Sequence, residues 1–152
     1  MKKTLPVFDI IEHTADIGIR VRGKNLPGLC ENAALGMFSL LADLKSVKPS
    51  LKLKVSADGN DPESLLVNWL NELIYLAAVK KMVFSEFAVK KYGQPGGKVA
   101  KKVRYSISAE IRGEKLAAFG KRLNYEIKAA TYHQLKIKKI SSGCEAGIIF
   151  DI

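Results

Sequence analysis

The residue types most able to do chemistry lie near the two ends of the 152-residue chain. His13 and Asp16 stand directly before the alternating apolar run 17–22, which places them at the entrance of a predicted strand. An imidazole and a carboxylate are ligand types for a divalent metal ion. The same spacing also suits a turn in which Asp16 or Thr14 caps backbone N–H groups. Spacing alone leaves both interpretations open.

The last six residues form a second candidate site. The run 147–152 reads as an apolar strand that ends in Asp151 and Ile152, which sets the Asp151 side chain beside the α-carboxylate of Ile152. Two carboxylates so close repel each other unless a cation lies between them. Oxygen ligands of this kind suit Ca²⁺ or Mg²⁺, and an ion pair with a lysine is the alternative.

Two further segments carry polar groups that could support a site. Lys128 and His133 lie in the run 126–133 and could act as acid, base or phosphate ligand, although a lone histidine in a strand also serves structural roles. Asn71 and Glu72 are polar members of an otherwise apolar helix pattern, where they either support a site or face solvent.

Several catalytic classes lack their sequence patterns. The chain has no phosphate-binding glycine loop of the G-x-x-x-x-G-K-[ST] or G-x-G-x-x-G kind, no H-E-x-x-H zinc motif and no glycine-flanked nucleophilic serine. Cys30 and Cys144 fit neither a disulfide framework nor zinc-ligand spacing, so we expect reduced, buried thiols. With no apolar leader or membrane-spanning run, the expected location is cytoplasmic.

The charge balance points toward anionic partners. Lys and Arg number 25 against 15 Asp and Glu, which gives a formal charge of +10. Phosphate contacts with RNA require such cations, but the lysines are spread in pairs along the chain, which equally suits a charged surface that only keeps the protein soluble, and both interpretations stay open. Hydrophobic residues make up 47% of the chain, which excludes a disordered protein.

Hydrophobic periodicity supplies the elements that must position these residues. The pattern predicts helices at 26–42 and 62–81, and strands at 17–22, 51–55, 83–89, 103–112, 127–139 (with a bend) and 145–151. Regular strand–helix alternation is missing, which argues against a doubly wound fold. We therefore predict an α/β (α+β) protein. It is one compact domain over 1–152, with a mostly antiparallel or mixed sheet and two main helices on one side.

Five segments, in this order along nearly the whole chain, resemble the archease family: 12–19, Met37-Phe38 followed by Asp43, 65–75, 126–133 and 149–152. The resemblance implies an accessory protein and not a stand-alone enzyme. Archeases are cofactors of the GTP-dependent RNA ligase that joins tRNA exon halves, and they promote its guanylylation and multiple turnover. A chaperone-like role toward a tRNA methyltransferase is also attached to the family.

The resemblance also implies site residues and partners. Asp16, Asp151 and the terminal Ile152 correspond to the family's metal site, with His13 as a further candidate. Lys128 and His133 are candidates for facing the partner. The expected ion is calcium, with magnesium as an alternative. The expected partners are the tRNA-splicing RNA ligase, a tRNA methyltransferase and, transiently, tRNA, with no membrane contact.

Two rival functions follow from the residues themselves. A metal-dependent nuclease built on Asp16, Asp151 and His13 would need a third convincing protein ligand, which the sequence does not supply. A basic RNA-binding module would account for the charge, but the chain lacks the clustered aromatic residues that stack on single strands.

Overall fold

A computed structural model describes residues 7–12, 16–94, 104–132 and 135–152. The strands in these ranges are β1 (Phe8–Glu12), β2 (Asp16–Gly23), β3 (Leu51–Gly59), β4 (Met82–Gly93), β5 (Tyr105–Lys115), β6 (Ala129–Thr131), β7 (Lys138–Ile140) and β8 (Gly143–Asp151). The helices are α1 (Leu26–Leu41), α2 (Pro62–Lys80) and the single turn α3 (Leu116–Phe119), with a 3-10 turn at Leu44–Ser46.

The described strands divide into two antiparallel sheets. The first sheet has the order β1-β2-β8-β6, and β7 pairs with β8 on the same side as β6. The second sheet has the order β3-β5-β4. The predicted fold class is confirmed, because antiparallel sheets and two long helices make up a single domain. The division of the strands into two sheets was not visible in the sequence.

Both long helices begin with the caps that the sequence indicates. The Asn25 side chain accepts a hydrogen bond from the Gly28 N–H at 2.9 Å, and Asp61 accepts one from the Ser64 N–H at 2.7 Å. Each satisfies a backbone donor that the first helical turn leaves unpaired. Pro62 occupies the first position of α2, where its missing N–H costs nothing.

The helices lie between the two sheets and contact both. α1 packs on β2 and β4, and α2 packs on β3 and β6. This position explains why α1 is buried on nearly every side, beyond a single apolar stripe. The Trp69 indole N–H donates to the Cys30 carbonyl at 2.8 Å and ties α2 to α1 inside this core. None of the described helices has the length and apolar character needed to cross a bilayer.

Two predictions about strands differ from the structure. β1 was not predicted, because its sequence Phe-Asp-Ile-Ile-Glu does not alternate, yet it pairs with β2 along its whole length. The prediction of a single bent strand at 127–139 is wrong. This segment contains two separate strands, β6 and the start of β7, which pair with opposite ends of β8 and are separated by 132–137. Residues 133 and 134 of that connection lie outside the described residues.

Candidate functional site

Asp16 and Asp151 lie directly opposite each other on neighbouring strands. Asp16 is the first residue of β2, Asp151 is the last residue of β8, and the two are register partners in the antiparallel pair. Opposite residues in such a pair project to the same side of the sheet, with Cβ atoms about 4.5–5.5 Å apart. The register therefore joins two carboxylates that come from opposite ends of the sequence.

These two carboxylates project from the face of the first sheet that points away from the helices. Their neighbours Ile17 and Phe150 are also register partners, and they are buried in the core at 5% and 0% exposure. Because side chains alternate along a strand, Asp16 and Asp151 project to the other side. We call this side the outer face; it carries Asp16, Gly18 and Arg20 of β2 and Glu145, Gly147, Ile149 and Asp151 of β8.

Lys128 reaches the same end of the sheet through its backbone. Its N–H donates to the Asp151 carbonyl at 2.8 Å, immediately before Ala129 takes the position opposite Asp151 in β6. The Lys128 side chain is exposed. The Thr131 hydroxyl donates to the Ile149 carbonyl at 3.0 Å and further fixes β6 against β8. The backbone around Asp151 is thus held from both neighbouring strands.

Asn71 of α2 holds β6 from its other edge. The Asn71 side-chain amide donates to the Ala130 carbonyl at 3.2 Å and accepts from the Ala130 N–H at 2.8 Å. One side chain therefore provides both hydrogen bonds that a further strand would give. The sequence left Asn71 either as support for a site or as a solvated residue, and the contact shows that Asn71 supports β6. Glu72, beside it, is half-buried in the groove between α2 and the second sheet.

The donor set at this position suits a hard cation only in part. Two carboxylates on adjacent strand ends offer the oxygen ligands that Ca²⁺ and Mg²⁺ prefer. Within the described residues, no group of three or more His, Cys, Asp or Glu side chains converges on one point. Of the described His, Cys, Asp and Glu side chains, these two aspartates are the ones that could form such a site, and further oxygen atoms would have to complete the coordination shell.

The other predicted site residues fall outside this arrangement or at its rim. Ile152 directly follows Asp151, and its side chain is 40% exposed. His13 and His133 lie outside the described residues, so their predicted roles stay predictions.

The two cysteines are not part of the site. Both are free thiols, Cys30 buried and Cys144 half-buried. Burial raises the pKa of the Cys30 thiol, and the nearby Cys144 and Glu31 raise that pKa further. Burial also raises the pKa of Cys144. Neither sulfur has the lowered pKa that a reactive thiolate needs.

Sequence reasoning missed a group of cations on the outer face. Arg20, Lys136 and Lys138 line one depression above β2 and β8. The signal that could have found it is the pair Gly18 and Gly147, since glycine inside a strand often marks a close approach to the backbone.

Comparisons with known proteins agree with the resemblance in the sequence. Residues 8–152 match the model of the Archease protein family. The protein archease of Methanosarcina barkeri is 39% identical over 145 residues, which cover 95% of each chain. The protein archease of Pyrococcus furiosus is 34% identical over 132 residues, covering 87% of this chain and 88% of that one.

Two solved structures share the fold. The solution structure of Methanobacterium thermoautotrophicum protein 1598 superposes with a TM-score of 0.81 at 29% identity, over 96% of this chain and 99% of that chain. An archease from Thermotoga maritima, described as a possible chaperone, superposes with a TM-score of 0.58. Its 20% identity, over 100% of this chain and 98% of that chain, shows the fold alone. The family model and the curated relatives together establish that this chain belongs to the archease family.

Proposed function

We propose that this protein is a non-catalytic accessory protein of a GTP-dependent tRNA-splicing RNA ligase, and that it promotes guanylylation and multiple turnover of the ligase. The observation that carries the proposal is the Asp16–Asp151 pair on the outer face, held by β6 and Lys128. A metal hydrolase needs a fuller ligand set and a separate general base, and within the described residues no third ligating side chain joins the two aspartates, which favours an accessory role over catalysis by this chain alone.

Asp16 and Asp151 would hold a divalent cation, calcium or magnesium, and Ile152 lies beside them. Such an ion would supply positive charge to phosphate oxygens, which is the usual part of a metal in phosphoryl and nucleotidyl transfer. The strands and side chains of this protein would hold the ion in place. β2 and β8 fix the two carboxylates, and the N–H of Lys128 fixes the Asp151 backbone. The exposed Lys128 side chain and His133 are the groups proposed to face the ligase.

The decisive experiment uses the RNA ligase of the same organism with excess tRNA halves and GTP. We expect the wild-type protein to convert a ligase that reacts once into one that turns over repeatedly. Asp16→Asn and Asp151→Asn should lose this effect while they remain folded. Asp58→Asn is the matched control, because Asp58 is an exposed strand carboxylate paired with Arg104 on the second sheet. If the ligase is active and the wild-type protein leaves its turnover unchanged, the proposal is wrong.

Cation binding has a separate readout that does not need the ligase. Ca²⁺ or Mg²⁺ should raise the unfolding temperature of the wild-type protein, because a ligand that binds only the folded state stabilises it. Asp16→Asn and Asp151→Asn should show no such rise, whereas Asp58→Asn should behave as wild type. An equal rise in all four proteins would show that the ions act elsewhere.

A second candidate function is a chaperone for a tRNA methyltransferase. It is favoured by an apolar cleft at the C-terminal ends of α1 and α2, which Met37, Leu41, Ile74, Met82 and Leu123 line. The Thermotoga maritima relative carries the description of a possible chaperone. Light scattering during thermal aggregation of the methyltransferase would test the role. Unchanged aggregation in an excess of this protein would exclude it.

A further inference from the structure

A second feature of the outer face is a depression centred on Gly147. β6 pairs with β8 from Ile149 to Asp151 and β7 pairs with it from Gly143 to Glu145, so neither covers the edge of β8 at Gly147. A Cβ atom built on Gly147 would have no neighbour within 4 Å. The backbone of β8 is therefore open to solvent between its two edge strands.

Cations surround this opening. Arg20 is the register partner of Gly147 on β2, and Lys136 and Lys138 line the opposite wall. Glu145 is the only acidic side chain among the described residues of the lining. It is already bonded to Arg22, Nε to Oε2 at 2.8 Å, and lies 4.0 Å from Arg20. The lining therefore carries excess positive charge, and the guanidinium-bearing side chain of Arg20 is 51% exposed.

The segment 136–138, which carries the two lysines, is anchored to α2 by a hydrogen bond. The Ile137 N–H donates to a carboxylate oxygen of Glu63, in the first turn of α2, at 2.9 Å. The Ile137 side chain packs against the core. Lys136 and Lys138 flank it and alternate to the outer face, where Lys138 lies opposite Glu145 in the β7–β8 pair. Their position above Gly147 follows from this anchor.

The chemistry of the depression fits a phosphate group better than a base or an apolar ligand. Arginine and lysine bind phosphate through charge-assisted hydrogen bonds. Among the residues that the structure describes, the apolar part of the lining includes Ile11 and Ile149, and none contributes an aromatic ring for base stacking. Contact through phosphate alone is the usual mode of sequence-independent nucleic-acid binding. The overall charge of +10 would add to the attraction at long range.

We propose that this depression, formed by Arg20, Lys136 and Lys138 over Gly147, is a binding groove for the phosphate backbone of RNA. The choice of RNA as the strand rests on the proposed function; the preference for a phosphate chain rests on the lining alone. Asp16 and Asp151 bound the groove at one end of the same face, and their negative charge directs a strand away from that end in the absence of a cation.

Fluorescence anisotropy of a labelled single-stranded RNA tests the groove with this protein alone. Lys136→Gln with Lys138→Gln should weaken binding at least about fivefold near 50 mM salt, and the slope of log K against log salt should fall by about 1.4. Lys52→Gln with Lys54→Gln is the matched control, because these exposed lysines lie on the second sheet and remove the same charge. The control should change affinity much less.

Gly147→Val tests the shape of the groove without a change of charge. A valine suits a strand, and its Cβ meets no atom at this position, while its methyl groups project into the opening. We expect RNA affinity to fall about as much as in the lysine double variant, with the unfolding temperature retained.

Three results would overturn the proposal. These are no RNA binding by the wild-type protein, equal losses in the two lysine double variants, or a folded Gly147→Val variant with wild-type affinity. If Gly147→Val does not fold, the comparison of the double variants decides alone. The ligase turnover assay is independent of this measurement, so a failure of the groove is distinguishable from a failure of the accessory role.

Discussion

The Asn71 side chain offers the sharpest test of how α2 supports the candidate site. Its amide makes two hydrogen bonds to the backbone of Ala130, which is 4% exposed and lies in β6 next to β8. Removal by Asn71→Ala takes away both bonds and leaves a largely buried N–H and carbonyl without these partners. A lost hydrogen bond costs about 1 kcal/mol net, and a buried polar group without a partner costs about 1–3 kcal/mol. We therefore expect a loss of about 2–3 kcal/mol in the free energy of unfolding.

Asn68→Ala is the matched control on the same helix. The Asn68 amide also donates to a backbone carbonyl, that of Asp58 at 2.8 Å, but this contact is exposed and water can replace it. Its loss should cost about 0.5 kcal/mol. Urea denaturation at constant m-value gives both numbers. In addition, hydrogen exchange at the Ala130 amide should accelerate in Asn71→Ala and not in Asn68→Ala.

Asn71→Asp separates the two bonds. The aspartate keeps an acceptor for the Ala130 N–H but places a second oxygen against the Ala130 carbonyl, so it should lose at least as much stability as the alanine variant. The reasoning is refuted if Asn71→Ala costs no more than Asn68→Ala while Ala130 exchange stays at the wild-type rate. In that case, β8 alone would be sufficient to hold β6.

Two further predictions concern glycines and thiols. Gly143→Ala should cost about 2–4 kcal/mol in urea denaturation, because Gly143 has φ 144° and a Cβ there would overlap the carbonyl oxygen of Gly23. Gly147→Ala, with open space at its Cβ, should stay within about 0.5 kcal/mol of wild type, and similar costs for the two would contradict the backbone geometry. At about pH 8 a thiol reagent should modify Cys144 slowly and Cys30 only in denaturant, because burial raises both pKa values. The stability that neutral Cys30 contributes is fully present below its unfolded pKa of about 8.5, and it is lost as the pH rises from there through the raised folded pKa. Rapid labelling of Cys30 in the native protein would contradict its burial.

Local sequence patterns determined the long elements and their ends. The predicted helices 26–42 and 62–81 agree with α1 and α2 to within one residue, because Asn25, Asp61 and Pro62 act on backbone groups a few positions away. Alternation likewise located the long strands β2 and β5. The same patterns, read together in order, also pointed to the family to which the chain belongs.

Tertiary pairing decided what the patterns left open. β6 and β7 have three residues each, too few to show a period, and they form because β8 presents its edge to them. The placement of the helices between two sheets also depends on contacts between distant parts of the chain. Because α1 contacts both sheets, it is buried on nearly every side.

The candidate site shows the same division. The sequence by itself supplied Asp16 and Asp151 as carboxylates at a strand entrance and a strand end, since residue type and local periodicity are sufficient for that. The register between β2 and β8 decides that Asp16 and Asp151 lie opposite each other. A shift of one strand by one residue would point one of these side chains toward the core. The depression over Gly147 also depends on tertiary structure. Arg20, Gly147 and Lys136 come from separate segments, which strand pairing and the Glu63–Ile137 hydrogen bond bring together.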